Sequence, residues 1–116
     1  MTTLYGISNC DTVRKARKWM EAEAINFVFH DFRKQGLSAE QVERWCAALG
    51  LDKVLNKRGT TWRQLPDDIK ASTDEAALKA LLVEQPTLIK RPVLELADGR
   101  VEVGFKAEQY AALFAR

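Results

Sequence analysis

Disulfide framework, membrane anchor, metal cluster and one-sided charge are all things this sequence has little of. Its 116 residues include two cysteines and one histidine. A secreted domain of this size that depends on disulfides carries more cysteine, so a reducing, cytoplasmic setting is expected. No apolar run approaches the roughly 18 residues that cross a bilayer, so no membrane association is expected. The start, Met1-Thr2-Thr3-Leu4-Tyr5-Gly6, has neither the basic region nor the apolar stretch of a signal peptide. Charge is nearly balanced, with 18 basic and 16 acidic side chains and a net charge of +2. Composition therefore gives no argument for direct nucleic-acid binding. Cys10, Cys46 and the lone His30 stand in unlike surroundings and offer no ligand set, so no metal is expected. There is no repeat, low-complexity tract or linker, which predicts a single domain over 1–116, monomeric by default.

The residues that are present alternate between strand and helix patterns. Thr3–Gly6 reads as a first strand, followed by an Ile7-Ser8-Asn9-Cys10 loop. From Asp11 the pattern is helical, with Asp11 or Thr12 as the cap and Val13, Ala16 and Met20 as the buried stripe. Ile25 to Phe32 is aromatic and β-branched and predicts a second strand, with Arg33 to Gly36 as loop. Ser38 and Gln41 form a capping box for a helix that buries Val42, Trp45, Cys46 and Leu49 and stops at Gly50. Residues 52–66 are poor helix material and predict a loop or a broken helix. Ser72 and Glu75 suggest another capping box, ahead of a helix with Ala77, Leu78, Leu81 and Leu82 on its buried face. Val93–Leu96 and Arg100–Val103 predict a hairpin about Asp98-Gly99. Lys106 to Phe114 predicts a last helix. A βαβ unit, a hairpin and a final helix make an α/β protein with a mixed sheet, in which the helices between 38 and 85 are an insertion.

The two cysteines differ in setting. Cys46 lies on an apolar helical face, where a free cysteine acts as a small hydrophobe. Cys10 lies in a polar loop at the start of a helix. Unpaired backbone N–H groups there carry partial positive charge and favour an anion such as a thiolate. An ordinary thiol is only about 3% thiolate at neutral pH, so this setting matters for reactivity. Arg14, one turn along, would add to the effect if its side chain folds back. Position 13 is Val13, so there is no Cys-x-x-Cys pair to resolve a mixed disulfide locally. Any adduct on Cys10 then needs an external thiol, and glutathione is the natural cytosolic one. No tightly bound cofactor is expected, with glutathione as co-substrate.

Two basic groups stand in loops. Lys57, Arg58 and Arg63 lie in the irregular middle segment, and Lys90 and Arg91 precede the third strand. Guanidinium groups grip carboxylates and other oxyanions bidentately. In the Arg91-Pro92 pair the proline stands at a strand start, where either isomer is compatible with the pattern.

Taken in order, four segments resemble the arsenate reductase (ArsC) family, which includes the Spx regulators and the YffB-like proteins. They are Thr3 to Cys10, Asp31-Phe32-Arg33-Lys34, Asn56 to Trp62, and Leu88 to Val93, with Val103-Gly104-Phe105 also fitting. The resemblance spans nearly the whole chain and is nearest the YffB-like branch. It implies a thioredoxin-like fold with a mixed four-stranded sheet and an inserted helical region. It implies Cys10 as nucleophile and Arg91, ahead of a cis Pro92, as its catalytic partner. Asn9, Lys57, Arg58, Arg91 and Pro92 become the substrate-binding set. In the arsenate reductases three arginines hold the oxyanion. Arg91 matches one, the mid-chain one falls at Asn56 or Arg58, and the third meets Val103 or Gly104. The expectation is thus a glutathione-dependent thiol reductase acting on an anionic or disulfide substrate. The alternatives are an arsenate reductase proper, and an Spx-like protein that binds RNA polymerase without turnover.

Overall fold

A computed structural model describes all residues from Met1 to Arg116. The chain divides into two compact units, one of Met1–Gln35 with Arg91–Arg116, the other of Gly36–Lys90.

The first unit contains the sheet. Strand β1 (Thr3–Gly6) leads to helix α1 (Asp11–Ala22), strand β2 (Val28–Asp31) and the one-turn helix α2 (Phe32–Gln35). The chain re-enters the unit at strands β3 (Val93–Glu95) and β4 (Val101–Val103) and ends in a helix, α8 (Ala107–Leu113). The strand order is β2-β1-β3-β4. β1 runs parallel to β2, with Leu4 beside Phe29, and antiparallel to β3, with Leu4 beside Leu94. β3 and β4 are antiparallel, with Val93 beside Val103. The mixed sheet follows from the connections: a helical crossover returns the chain in the same direction, whereas a tight turn reverses it. Here the turn is closed by Gly99 N–H donating to Leu96 O at 2.9 Å, with Gly99 at φ 93°. The fold is α/β and thioredoxin-like.

One face of this sheet and its helices bury Leu4, Ala16, Met20, Leu94, Leu96 and Tyr110, with Trp19, Phe105 and Phe114 packed around them. Tyr110 is the centre of an aromatic group, edge-on to Phe105 at 4.7 Å and to Trp19 at 5.9 Å. Its hydroxyl donates to Gly104 O at 3.2 Å. Burial, and next the Glu102 carboxylate, push the Tyr110 phenol well above its ordinary pKa.

The second strand is shorter than the predicted 25–32. Ile25 N–H donates to Met20 O at 3.0 Å, and Ala24 takes a left-handed φ of 55°. Ile25 is thus spent on ending α1, and pairing begins at Val28. At the other end, Asp31 Oδ1 accepts from the N–H groups of Arg33 (3.0 Å) and Lys34 (3.3 Å). That cap turns the expected 33–36 loop into α2.

The second unit is helical: α3 (Ala39–Leu49), α4 (Leu51–Val54), α5 (Thr60–Arg63), α6 (Asp67–Lys70), α7 (Glu75–Glu84) and a 3-10 turn at Pro86–Leu88. The Ser38–Gln41 capping box forms as expected. α7 is capped instead by Asp74, whose side chain accepts from Ala77 N–H at 3.3 Å, while Ser72 Oγ accepts from Asp74 N–H. The cap thus lies two residues beyond the expected Ser72, which instead supports the cap residue's own N–H. α3 buries Val42, Trp45 and Cys46, and α7 buries Leu78 and Leu82; Leu81 is half-buried and Ala77 exposed. The region 52–66 is indeed broken into single turns. Its last piece is clasped to the end of the unit: Leu55 bridges Ile89, Asn56 N–H donates to Leu88 O at 2.7 Å, and Lys90 N–H to Val54 O at 2.8 Å.

Candidate functional site

β1 ends at Gly6, and a turn closed by Cys10 N–H donating to Ile7 O at 3.4 Å carries the chain into α1. Gly6 has no side chain for a packing reason. A Cβ there would lie 2.7 Å from Cγ2 of the fully buried Val13. The strand end and the first turn of α1 approach that closely, and this fixes the span of the turn.

Cys10 is itself the N-cap of α1, in place of the expected Asp11 or Thr12. Its backbone is extended (φ −99°, ψ 126°), and its carbonyl accepts the first helical bond from Arg14 N–H at 2.9 Å. The half-buried thiol makes no capping hydrogen bond. No side-chain acceptor therefore occupies the end of this 12-residue helix, and its partial positive charge is left for an anion at the N-cap position. Arg14 does not fold back onto the thiol. Its guanidinium pairs with Asp11 and holds that exposed carboxyl below its usual range.

The other residues fall into two groups. Asn9 is exposed in the turn before Cys10. The Arg91–Pro92 bond is cis, with Pro92 buried and Arg91 half-buried. β3 starts at the next residue, and its register sets Val93 beside Tyr5. The Arg91-Pro92 bond therefore enters the sheet at the end of β1 from which the Cys10 turn leaves. Pro92 O accepts from Gly104 N–H at 2.9 Å. The positions answering to a third arginine carry Val103 on β4 and Gly104, at φ 79°.

Lys57 and Arg58 belong to the helical unit. They line a cavity of about 430 Å³ with Asp52, Leu55, Asn56 and Lys90. Lys90 was legible in the sequence only as a nearby basic residue. The three-residue clasp that brings it to Asn56 is too short to leave a periodicity.

Val13 is buried in the core, and Cys46 is buried on α3. Burial raises the Cys46 pKa; the Lys79 ammonium opposes that shift without cancelling it.

A thioredoxin-like sheet with a single cysteine capping its first helix defines a class of thiol-bearing α/β protein. Within it, the chain belongs to the ArsC family, whose model matches residues 5–113. A solved YffB protein is 48% identical over 97% of both chains, with a TM-score of 0.92. That likeness puts the chain in the YffB-like branch. An arsenate reductase (ArsC) related protein from Brucella melitensis is 46% identical, covering 99% of this chain and 95% of its own, with a TM-score of 0.77. An uncharacterized protein of Haemophilus influenzae is 44% identical over 99% of this chain and all of its own. The global transcriptional regulator Spx of Streptococcus pneumoniae is 26% identical, covering all of this chain and 87% of that protein. No helix is long and apolar enough to cross a membrane.

Proposed function

We propose that the protein is a cytoplasmic, monomeric, glutathione-dependent thiol reductase with Cys10 as its only nucleophile. The observation that carries this reading is the uncapped N-terminus of α1 with a half-buried thiol at the N-cap position and a buried valine three residues on. In the first step the Cys10 thiolate attacks the glutathione sulfur of a mixed disulfide. The S–S bond breaks, the substrate sulfur leaves as a thiolate and takes a proton from water, and Cys10 becomes glutathionylated. A second glutathione thiolate then attacks that adduct, releasing oxidised glutathione and the Cys10 thiolate. The cycle balances: the mixed disulfide and one glutathione thiol give the substrate thiol and oxidised glutathione, and Cys10 is regenerated. Arg91 steadies the anionic substrate near the sulfur, and Asn9 and Pro92 shape the approach; Lys57 and Arg58, in the helical unit, complete the substrate-binding set.

The test is mass spectrometry after treatment with oxidised glutathione. One glutathione on Cys10, removed by excess reduced glutathione, is the expected result. No adduct, or one on Cys46, overturns the reading. Arsenate-dependent turnover in the same coupled assay would instead make the protein an arsenate reductase, a reading that its Brucella relative favours. The Spx likeness supports a second reading, in which the chain binds RNA polymerase without turnover. Co-purification with polymerase that survives Cys10→Ser would favour it.

A further inference from the structure

The sheet has an open edge at β2, since the strand order places nothing beyond it. Along a strand, a residue that bonds one neighbour through both backbone groups is followed by one whose groups point the other way. Val28 N–H donates to Thr2 O at 3.0 Å, so Val28 faces inward and Phe29 outward. The next outward N–H, of Asp31, is taken by Gln35 Oε1 at 3.0 Å. Phe29 N–H and C=O therefore stand in the middle of the edge with no strand beside them. Such an edge is a template for another extended segment.

The two faces beside that edge differ. On one, Phe29 lies with Leu4 against the core that α1 helps to build, and the Arg17 guanidinium sits 4.1 Å from the centre of the Phe29 ring. Arg17 also lines a groove of about 220 Å³ with Arg14, Lys18 and Glu21. Arg14 is paired with Asp11, whereas Arg17 and Lys18 make no ion pair, and Glu21 is the one carboxylate in the groove. Past the end of the strand, Arg33 and Lys34 are exposed in α2, and the Asp31 carboxylate beside them is spent on capping their N–H groups. On the other face stand Val28, 48% exposed, and the half-buried His30, whose ring lies 4.9 Å from that of Tyr5. The edge is thus cationic on the α1 side and apolar at Val28 on the other.

We propose that the β2 edge binds an extended segment of a partner protein in which acidic residues alternate with apolar ones. Successive side chains of an added strand point to opposite faces. The acidic ones meet Arg17 and Lys18 on the α1 side, and the apolar ones cover Val28 on the other. The backbone groups of Phe29 favour a peptide over a nucleic acid, which matches the charge but not the ladder. A second copy of this chain is disfavoured as the occupant. Antiparallel pairing of two β2 edges keeps both α1 helices on the same face, so that their unpaired cations repel. Docking at this edge requires no reaction at Cys10.

The experiment is an amide NMR titration of the full chain, at low ionic strength, with a ten-residue peptide of alternating Glu and Val. The matched probes are the corresponding Lys-Val peptide and single-stranded oligo-dT. Saturable shifts at Arg17, Lys18 and residues 27–31 with the acidic peptide alone, and slowed hydrogen exchange of the Phe29 amide in the complex, support the proposal. Arg17→Gln and Lys18→Glu should each weaken binding about threefold or more. Lys106→Glu makes the same change of charge as Lys18→Glu, but past β4 at the opposite edge of the sheet, and should leave binding nearly unchanged. Equal shifts with oligo-dT, an affinity lowered as much by Lys106→Glu as by Lys18→Glu, a Phe29 amide that exchanges no more slowly in the complex, or no saturable shift at all would each overturn the proposal.

Discussion

The proposed chemistry turns on which side chain occupies the N-cap of α1. Ser, Thr, Asp or Asn would satisfy the first-turn N–H groups and discharge that end of the helix. Cys10 does not, so the same groups remain for a thiolate. Cys46 has the opposite setting: burial disfavours its charged form. Iodoacetamide at about pH 7 should therefore modify Cys10 well ahead of Cys46, as read by peptide mapping, and equal rates would count against the distinction. The turn that presents Cys10 depends in turn on Gly6. Val13 is branched and fully buried and has nowhere to move. Gly6→Ala should cost about 1–3 kcal/mol in urea unfolding, by overpacking. Adding Val13→Ala should return part of that loss if the clash is the cause.

Among the elements, the caps do more than the propensities to set where helices begin. Asp31 is a buried acid, 6% exposed, at the end of β2, with two backbone N–H groups on one of its oxygens. Read in sequence, Asp31-Phe32-Arg33-Lys34 is a family motif in a loop. In the fold it is the cap and first turn of α2, which makes Asp31 a structural residue. Asp31→Ala should lower stability by about 1–2 kcal/mol, measured by chemical denaturation, and leave the rate of Cys10 alkylation nearly unchanged. Asp31→Asn, which keeps an acceptor, should recover most of the loss. Among the single-turn helices between α3 and α7, α4 leads into the Leu55–Ile89 clasp and α5 is tied to the 3-10 turn by the Thr61–Thr87 hydroxyl bond at 3.1 Å, because one turn is too short to be stable alone.

For the molecule as a whole, pH sensitivity is expected on the alkaline side. Tyr110 is neutral when protonated, and burial holds its folded-state pKa above the unfolded value of about 10. Folded chains keep a proton that unfolded chains lose as pH rises past that value, so the unfolded state is favoured there. The stabilisation is full below about pH 10 and falls as the pH climbs toward the folded-state pKa. The urea midpoint should thus drop as the pH rises above about 10, and by less in Tyr110→Phe. An unchanged slope in that variant would place the alkaline sensitivity in other groups. At neutral pH the same variant should lose about 1 kcal/mol with the hydrogen bond to Gly104 O.

The sequence by itself determined the first strand, the Val13–Ala16–Met20 stripe, the Ser38–Gln41 box, the Asp98-Gly99 hairpin and the difference between the two cysteines. Each rests on a local rule that acts within a few residues, as periodicity, turn chemistry and capping do. The family resemblance added the thioredoxin-like fold with its mixed four-stranded sheet and the cis Pro92. Only the tertiary structure decided that Cys10 is itself the cap, that Arg14 is taken by Asp11, that β2 starts at Val28, and that Lys90 joins Lys57 and Arg58. These depend on competition between groups for one hydrogen bond or one charge, and on contacts between segments more than 30 residues apart, such as Asn56 with Leu88. Neither kind of information is carried by spacing along the chain.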